Sequence, residues 1–106
     1  MKSYVCALIL SISILFPQTQ LGSDIDGESH NDQSGYSVSM NSDGSRLAVG
    51  AYLNDGNGNE SGHIRVYEYT NSSWIQMGSD IDGESFNDGS GYSVSMNSDG
   101  SRVAIG

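Results

Sequence analysis

The chain has 106 residues, enough for one small domain, with 13 acidic against 4 basic side chains and a formal net charge of −9. Such a surface repels nucleic acid and anionic membranes, whose binding draws on Lys and Arg, and favours dissolved cations or basic partners. With Cys6 as the single cysteine, a disulfide framework is excluded.

Residues 1–20 differ from the rest. Lys2 precedes an apolar run over residues 4–16, followed by Pro17 and polar residues. Those 13 residues are too few for a membrane-spanning helix. The order of charge, apolar run and polar end fits a secretory signal peptide. No small-x-small pair before Gln20 marks a clear cleavage site. The residues before Cys6 do not make a lipobox, so no lipid anchor is expected. Export then leaves a mature chain with no thiol, secreted or held at the cell surface.

Beyond residue 20 the chain repeats. "LGSDIDGESHNDQSGYSVSMNSDGSRLAVG" (21–50) returns as "MGSDIDGESFNDGSGYSVSMNSDGSRVAIG" (77–106) at an offset of 56, with 25 of 30 positions identical. The changes are Leu21/Met77, His30/Phe86, Gln33/Gly89, Leu47/Val103 and Val49/Ile105. Three of them are apolar swaps of the kind buried strands tolerate. The organisation is a signal peptide over 1–20, a first repeat over 21–76 and a truncated second repeat over 77–106. A fixed period of this length marks a stacked or circular repeat architecture.

Within one period the pattern predicts four short strands. "YSVSM" (36–40) alternates with period two, and "NSDGS" (41–45) is a tight turn with positive backbone angles at Asp43 and Gly44. "RLAVGA" (46–51) suits a strand buried on both faces. "YLNDGNGNESG" (52–62) is a long Gly/Asn-rich loop. "HIRVYEY" (63–69) alternates, with Ile64 and Val66 on one face and His63, Arg65, Tyr67 and Tyr69 on the other, His63 facing outward. "TNSS" (70–73) is a second tight turn, and "WIQMG" (74–78) closes the unit. No helical stripe follows residue 20. The fold class is therefore all-β: antiparallel four-stranded blades of a β-propeller, incomplete at about one and a half repeats. Such sheets leave apolar faces uncovered without neighbours, so a longer repeat protein with further units is expected. Strand direction also puts the two long loops, 52–62 and 24–35, on one face. That face carries six of the eight acidic residues in 22–77.

"SGYSVSMNSDGSRLAVGAYLNDGNGNESGHIRVYEY" (34–69) resembles the FG-GAP repeat, the blade unit of integrin-alpha-type propellers, and the pattern restarts at Ser90. Ser34-Gly35 stands where that family has Phe-Gly, and Gly50-Ala51-Tyr52 where it has Gly-Ala-Pro. The family's calcium loop lies between these motifs. Here that place holds only the minimal turn 41–45, so that site does not carry over. "NSDGSRLAVG" followed by "HIRVYEY" is also similar to the hairpin and strand of WD-repeat propellers. Both resemblances imply a propeller.

The acidic linkers carry the candidate metal ligands: Asp24, Asp26, Glu28 and Asp32 in the first copy, Asp80, Asp82, Glu84 and Asp88 in the second. They stand at positions 1, 3, 5 and 9 of a loop, a spacing that resembles calcium loops. Against calcium, the glycine falls at position four and no Glu stands at position twelve. Calcium ligation and a solvated acidic linker both remain open, and the second weighs more. His30 is matched by Phe86 in the other copy, so the repeated site does not require imidazole. Tyr36, Tyr67, Tyr69 and Trp74 suit packing between blades more than a carbohydrate platform. No catalytic constellation stands out among the turn serines.

These features lead to the expectation of an exported, non-enzymatic repeat protein that binds an extracellular protein or glycan ligand, in adhesion at the cell surface. The alternatives are a scaffold part of a larger extracellular enzyme and a WD-repeat-like interaction propeller. No nucleic-acid partner and no membrane insertion of the mature chain are expected.

Overall fold

A computed structural model describes residues 18–106. The predicted signal peptide therefore lies almost wholly outside the described residues. The elements are β1 (Ser37–Met40), β2 (Arg46–Ala51), β3 (His63–Thr70), β4 (Ser73–Gln76), β5 (Ile81–Asp82), β6 (Val94–Met96) and β7 (Val103–Ile105). All pairings between these strands are antiparallel, and the first four strands form a meander in the order β1-β2-β3-β4. The second repeat contributes the separate pair β6-β7.

Both predicted turns close the meander, by different chemistry. Between β3 and β4, Asn71 and Ser72 both hold positive φ, at 51° and 64°. That two-residue mirror-image turn matches the right-handed twist of the strands it joins. Between β1 and β2, only Gly44 is left-handed, with φ 75°. The expected positive angle at Asp43 is absent. Asp43 instead accepts a hydrogen bond from the Ser45 amide at 2.9 Å, a side-chain-capped turn that lets Asp keep an ordinary backbone. Asn41 completes the turn, its Oδ1 accepting from the Arg46 amide at 2.9 Å.

Register assigns the two faces of this sheet. Paired residues share a face, so Val38, Val49 and Arg65 lie on one side, while Ser39, Ala48 and Val66 lie on the other. The serine side of β1 turns toward the second repeat. Ser37 Oγ donates to the Gly91 carbonyl at 2.6 Å, and the Met96 amide donates to Ser39 Oγ at 2.9 Å. The apolar side of β1 stays open, with Val38 59% and Met40 49% exposed. The buried apolar core is correspondingly small: Ala48, Val49, Ala51 and Ile64. This agrees with sheets that need neighbours to cover them.

Equivalent residues of the two repeats meet directly. The Tyr36 hydroxyl lies 3.2 Å from that of Tyr92, and both the amide and the hydroxyl of Ser42 donate to the Ser98 carbonyl. Tyr52 joins the first pair, with ring centroids 4.6 Å from Tyr36 and 5.3 Å from Tyr92. Tyr36 thus packs between repeats as expected, while about half of its surface stays exposed.

One element was not expected. After β4 the chain bulges and returns to β3 as β5, pairing Ile81 with Ile64 and Asp82 with His63. The outer neighbour of β3 is therefore β4 at one end and the second acidic linker at the other. A two-residue strand inside an acidic, glycine-containing stretch leaves no alternation to read.

Candidate functional site: the loop face and the repeat junction

The long loops share one face, as strand direction implies. The Leu53 amide donates to the Asp32 carbonyl at 3.3 Å, and Asn54 Nδ2 donates to Asp32 Oδ2 at 2.8 Å. Asp32 and Asn54 are both buried, so this charge-assisted bond satisfies two groups that would be costly alone. The second linker joins them. The Asn87 and Gly89 amides donate to the carbonyls of Asn59 and Glu60, and Asn57 Nδ2 donates to the carbonyls of Gly83 and Glu84. A groove of about 360 Å³ opens between the first linker and the long loop, lined by Asn31, Gln33, Leu53, Asp55, Asn59 and Glu60. Gln33 and Glu60 both hold left-handed backbone conformations, at φ 59° and 55°. For residues other than glycine these conformations are uncommon and cost roughly 1 kcal/mol or more each.

The ionic centre of this face lies on β3. Arg65 grips Asp80 with two parallel bonds, Nε to Oδ1 at 2.7 Å and Nη2 to Oδ2 at 2.9 Å. Its Nη2 also donates to Glu28 of the first linker. Gln76 Nε2 adds a bond to Asp80 Oδ1 at 2.7 Å. The Arg65 hydrogen bonds, helped by Gln76, hold the Asp80 carboxyl well below the usual carboxylate range against partial burial. The same pairing with Asp80 raises the Arg65 guanidinium. One guanidinium thus fastens both linkers to a single strand.

Beside it stands His63, whose outward placement the structure overturns: it is only 4% exposed. Alternation correctly puts His63 on the Arg65 side. That side is covered at this point because Glu28 crosses it and β5 flanks it. His63 Nδ1 lies 3.6 Å from Asp80 Oδ2 and 4.0 Å from both Glu28 Oε1 and Asp82 Oδ1. This nitrogen has no hydrogen-bond partner among the described residues.

The eight predicted ligands therefore do not share one fate. Asp24 is exposed and accepts from Gln20 Nε2 at 2.9 Å. Asp26 lies in an open groove beside Tyr67, Trp74 and Ile75. Glu28 turns to Arg65 and Asp32 to Asn54. In the second copy Asp80 is clamped, Asp82 pairs beside His63, and Glu84 is exposed. Asp88 accepts from the Ser85 amide at 2.9 Å. The grouping whose atoms lie close enough for shared coordination is Glu28, His63 and Asp80, all within 4.8 Å of one another among the described residues. It takes one carboxylate from each copy and a histidine that the spacing of either copy could not indicate. His30 is exposed, in keeping with its surface assignment.

A family model described as the FG-GAP repeat matches residues 23–67. No curated protein and no solved structure matches the chain. The matched span starts in the first acidic linker and ends in β3, so the linker is part of the unit and not a spacer between units. Residues 23–67 thus match the FG-GAP repeat and hold the first two strands and most of the third of an antiparallel four-stranded meander that β4 completes just beyond the span, the make-up of a β-propeller-type blade.

Proposed function

We propose that the chain is an exported, non-enzymatic repeat protein that binds an extracellular protein or glycan through the face formed by loops 24–35, 52–62 and 80–91. FG-GAP repeats typically occur in extracellular or cell-surface proteins, which supports the location. The observation that carries the binding role is the groove between the first linker and the long loop. Two of its lining residues, Gln33 and Glu60, sit in strained backbone conformations. Strain of this kind persists where surrounding structure enforces it, and it clusters at ligand sites. The groove offers amides at Asn31, Gln33 and Asn59, carboxylates at Asp55 and Glu60, and an apolar patch at Leu53. That mixture suits hydroxyl-rich or basic ligands, whose groups pair with amides and carboxylates. Near-identical units give many weak contacts, and avidity comes from their number.

The test is surface plasmon resonance of the full chain over immobilised glycans and extracellular-matrix proteins. Saturable binding that is lost in Asn59→Ala and Asp55→Asn supports the reading. Binding to nothing in either set, or binding that both variants leave intact, overturns it.

A further inference from the structure

We propose that Glu28, His63 and Asp80 bind a divalent transition-metal ion that ties two successive acidic linkers to β3. The case begins with His63. Its imidazole is buried, and among the described residues its Nδ1 meets no donor and no acceptor at hydrogen-bond distance. The nearest polar atoms are carboxylate oxygens at 3.6 to 4.0 Å. Ionised carboxylates only accept, so a neutral Nδ1 lone pair gains nothing from them. A protonated Nδ1 would stand too far away to donate well. A nitrogen lone pair and several oxygens facing one another across a gap need a cation between them.

The dimensions suit a metal ion. Bonds of about 2.0–2.1 Å in a tetrahedral site put ligand atoms roughly 3.3 Å apart. The His63–Asp80 separation is 3.6 Å and the His63–Glu28 separation 4.0 Å. Small side-chain adjustments close the difference, and Glu28 has room to make one about its Arg65 bond because its side chain is 46% exposed. That exposure also gives the ion an entry path. Asp82 stands 4.0 Å from the same nitrogen as a further oxygen donor. One imidazole with carboxylates selects zinc or manganese over calcium, which takes an all-oxygen shell.

Charge points the same way. Glu28, Asp80 and Asp82 bring three negative charges, and Arg65 returns one positive charge. A divalent ion cancels the remainder. Arg65 Nη2 donates to Glu28 Oε1 and Asp80 Oδ2, the same oxygens that face His63, and so orients them, while each oxygen keeps a second lone pair for the ion. The ion would join residues that lie 52 positions apart, from Glu28 to Asp80, and so brace the junction between units.

The experiment is a Zn²⁺ titration of the chelator-treated full chain, read by melting temperature, with Co²⁺ absorption as a probe of the ligand set. The expected result is a melting temperature that rises by several degrees and saturates near one equivalent. His63→Gln and Glu28→Gln should each weaken the apparent affinity at least about tenfold, while His30→Gln leaves it unchanged. Glu28 is a surface side chain, so its variant keeps the test valid if His63→Gln fails to fold. No Zn²⁺ response in the wild type, or an undiminished response in Glu28→Gln, overturns the proposal. So does a response to millimolar Ca²⁺ alone, or stabilisation on acidification from pH 8 to 5.5 with no metal effect, which would make His63 a proton site flanked by Glu28, Asp80, Asp82 and Arg65.

Discussion

Residues 23–32 and 79–88 differ only at His30/Phe86, yet they are built into the molecule in different ways. The turns 41–45 and 97–101 are also copies, and they are built identically. In each turn an Asn accepts from an Arg amide at 2.9 Å, and an Asp accepts from a Ser amide, at 2.9 Å in one copy and 3.0 Å in the other. Each turn makes the bonds that shape it within itself or to the next residue, so its sequence is its structure. The acidic linkers make theirs with whatever strand lies beside them. One local bond does recur: Gln20 holds Asp24, and Gln76 holds Asp80, both four residues on. What the first copy lacks is the base. Arg65 precedes the second linker, whereas the residue 56 positions earlier is Ile9. Identical acids thus become a solvated group in one place and a clamped ion in the other.

The largest expected effect separates the copies by sterics. A Cβ at Gly83 would overlap the Ser61 carbonyl oxygen, while at the equivalent Gly27 it would meet only the Ser34 side chain, at 2.8 Å. Gly83→Ala should therefore cost about 3 kcal/mol and release β5 from β3, and Gly27→Ala about 1 kcal/mol or less. Urea denaturation of both variants measures this, and equal costs would dissolve the contrast. Next comes charge. Asp80→Asn should cost about 1–2 kcal/mol by weakening the Arg65 clamp, against at most about 0.5 kcal/mol for Asp24→Asn.

The pH dependence sharpens that second pair. Asp80 has its folded-state pKa lowered. Its stabilisation is thus fully present above the ordinary Asp range, near 3.9, and is lost as pH falls through the folded value. The stability gap between wild type and Asp80→Asn, measured with chelator present, should be constant from pH 7 to 5 and narrow below about pH 4. The smallest effect concerns the turns. Asn41→Ala and Asn97→Ala should both destabilise, Asn41 by about 1 kcal/mol because it is 7% exposed, and Asn97 by less because it is exposed. Thermal melts of the two variants should rank them in that order.

This division also explains what the sequence could tell. Strands β1 to β4 were legible because alternation and turn residues act over a few positions, and each predicted strand lies within two residues of its observed bounds. The shared loop face followed from strand direction alone. The angle at Asp43 was misassigned because Asp can serve a turn through its carboxylate instead of its backbone. His63 was misplaced because alternation reports a side of the sheet and is silent on what crosses that side. The Glu28–His63–Asp80 group was invisible for the same reason: its members meet only once β5 has docked on β3. Spacing within one linker, the cue behind the eight predicted ligands, describes a cage closed by neighbours in sequence, and this chain assembles its acids across copies.

The hydroxyl of Tyr36 meets that of Tyr92, and Ser42 meets Ser98, so two of the contacts between the copies match a position to its own counterpart. The first copy donates and the second accepts at Ser42 and Ser98, so near-identical units carry the same donors and the same acceptors. Unequal crossing-over between copies of the gene can then insert or delete a whole 56-residue unit and still present every seam with the group it had before. Array length becomes a quantity that heredity can adjust without redesigning a single contact.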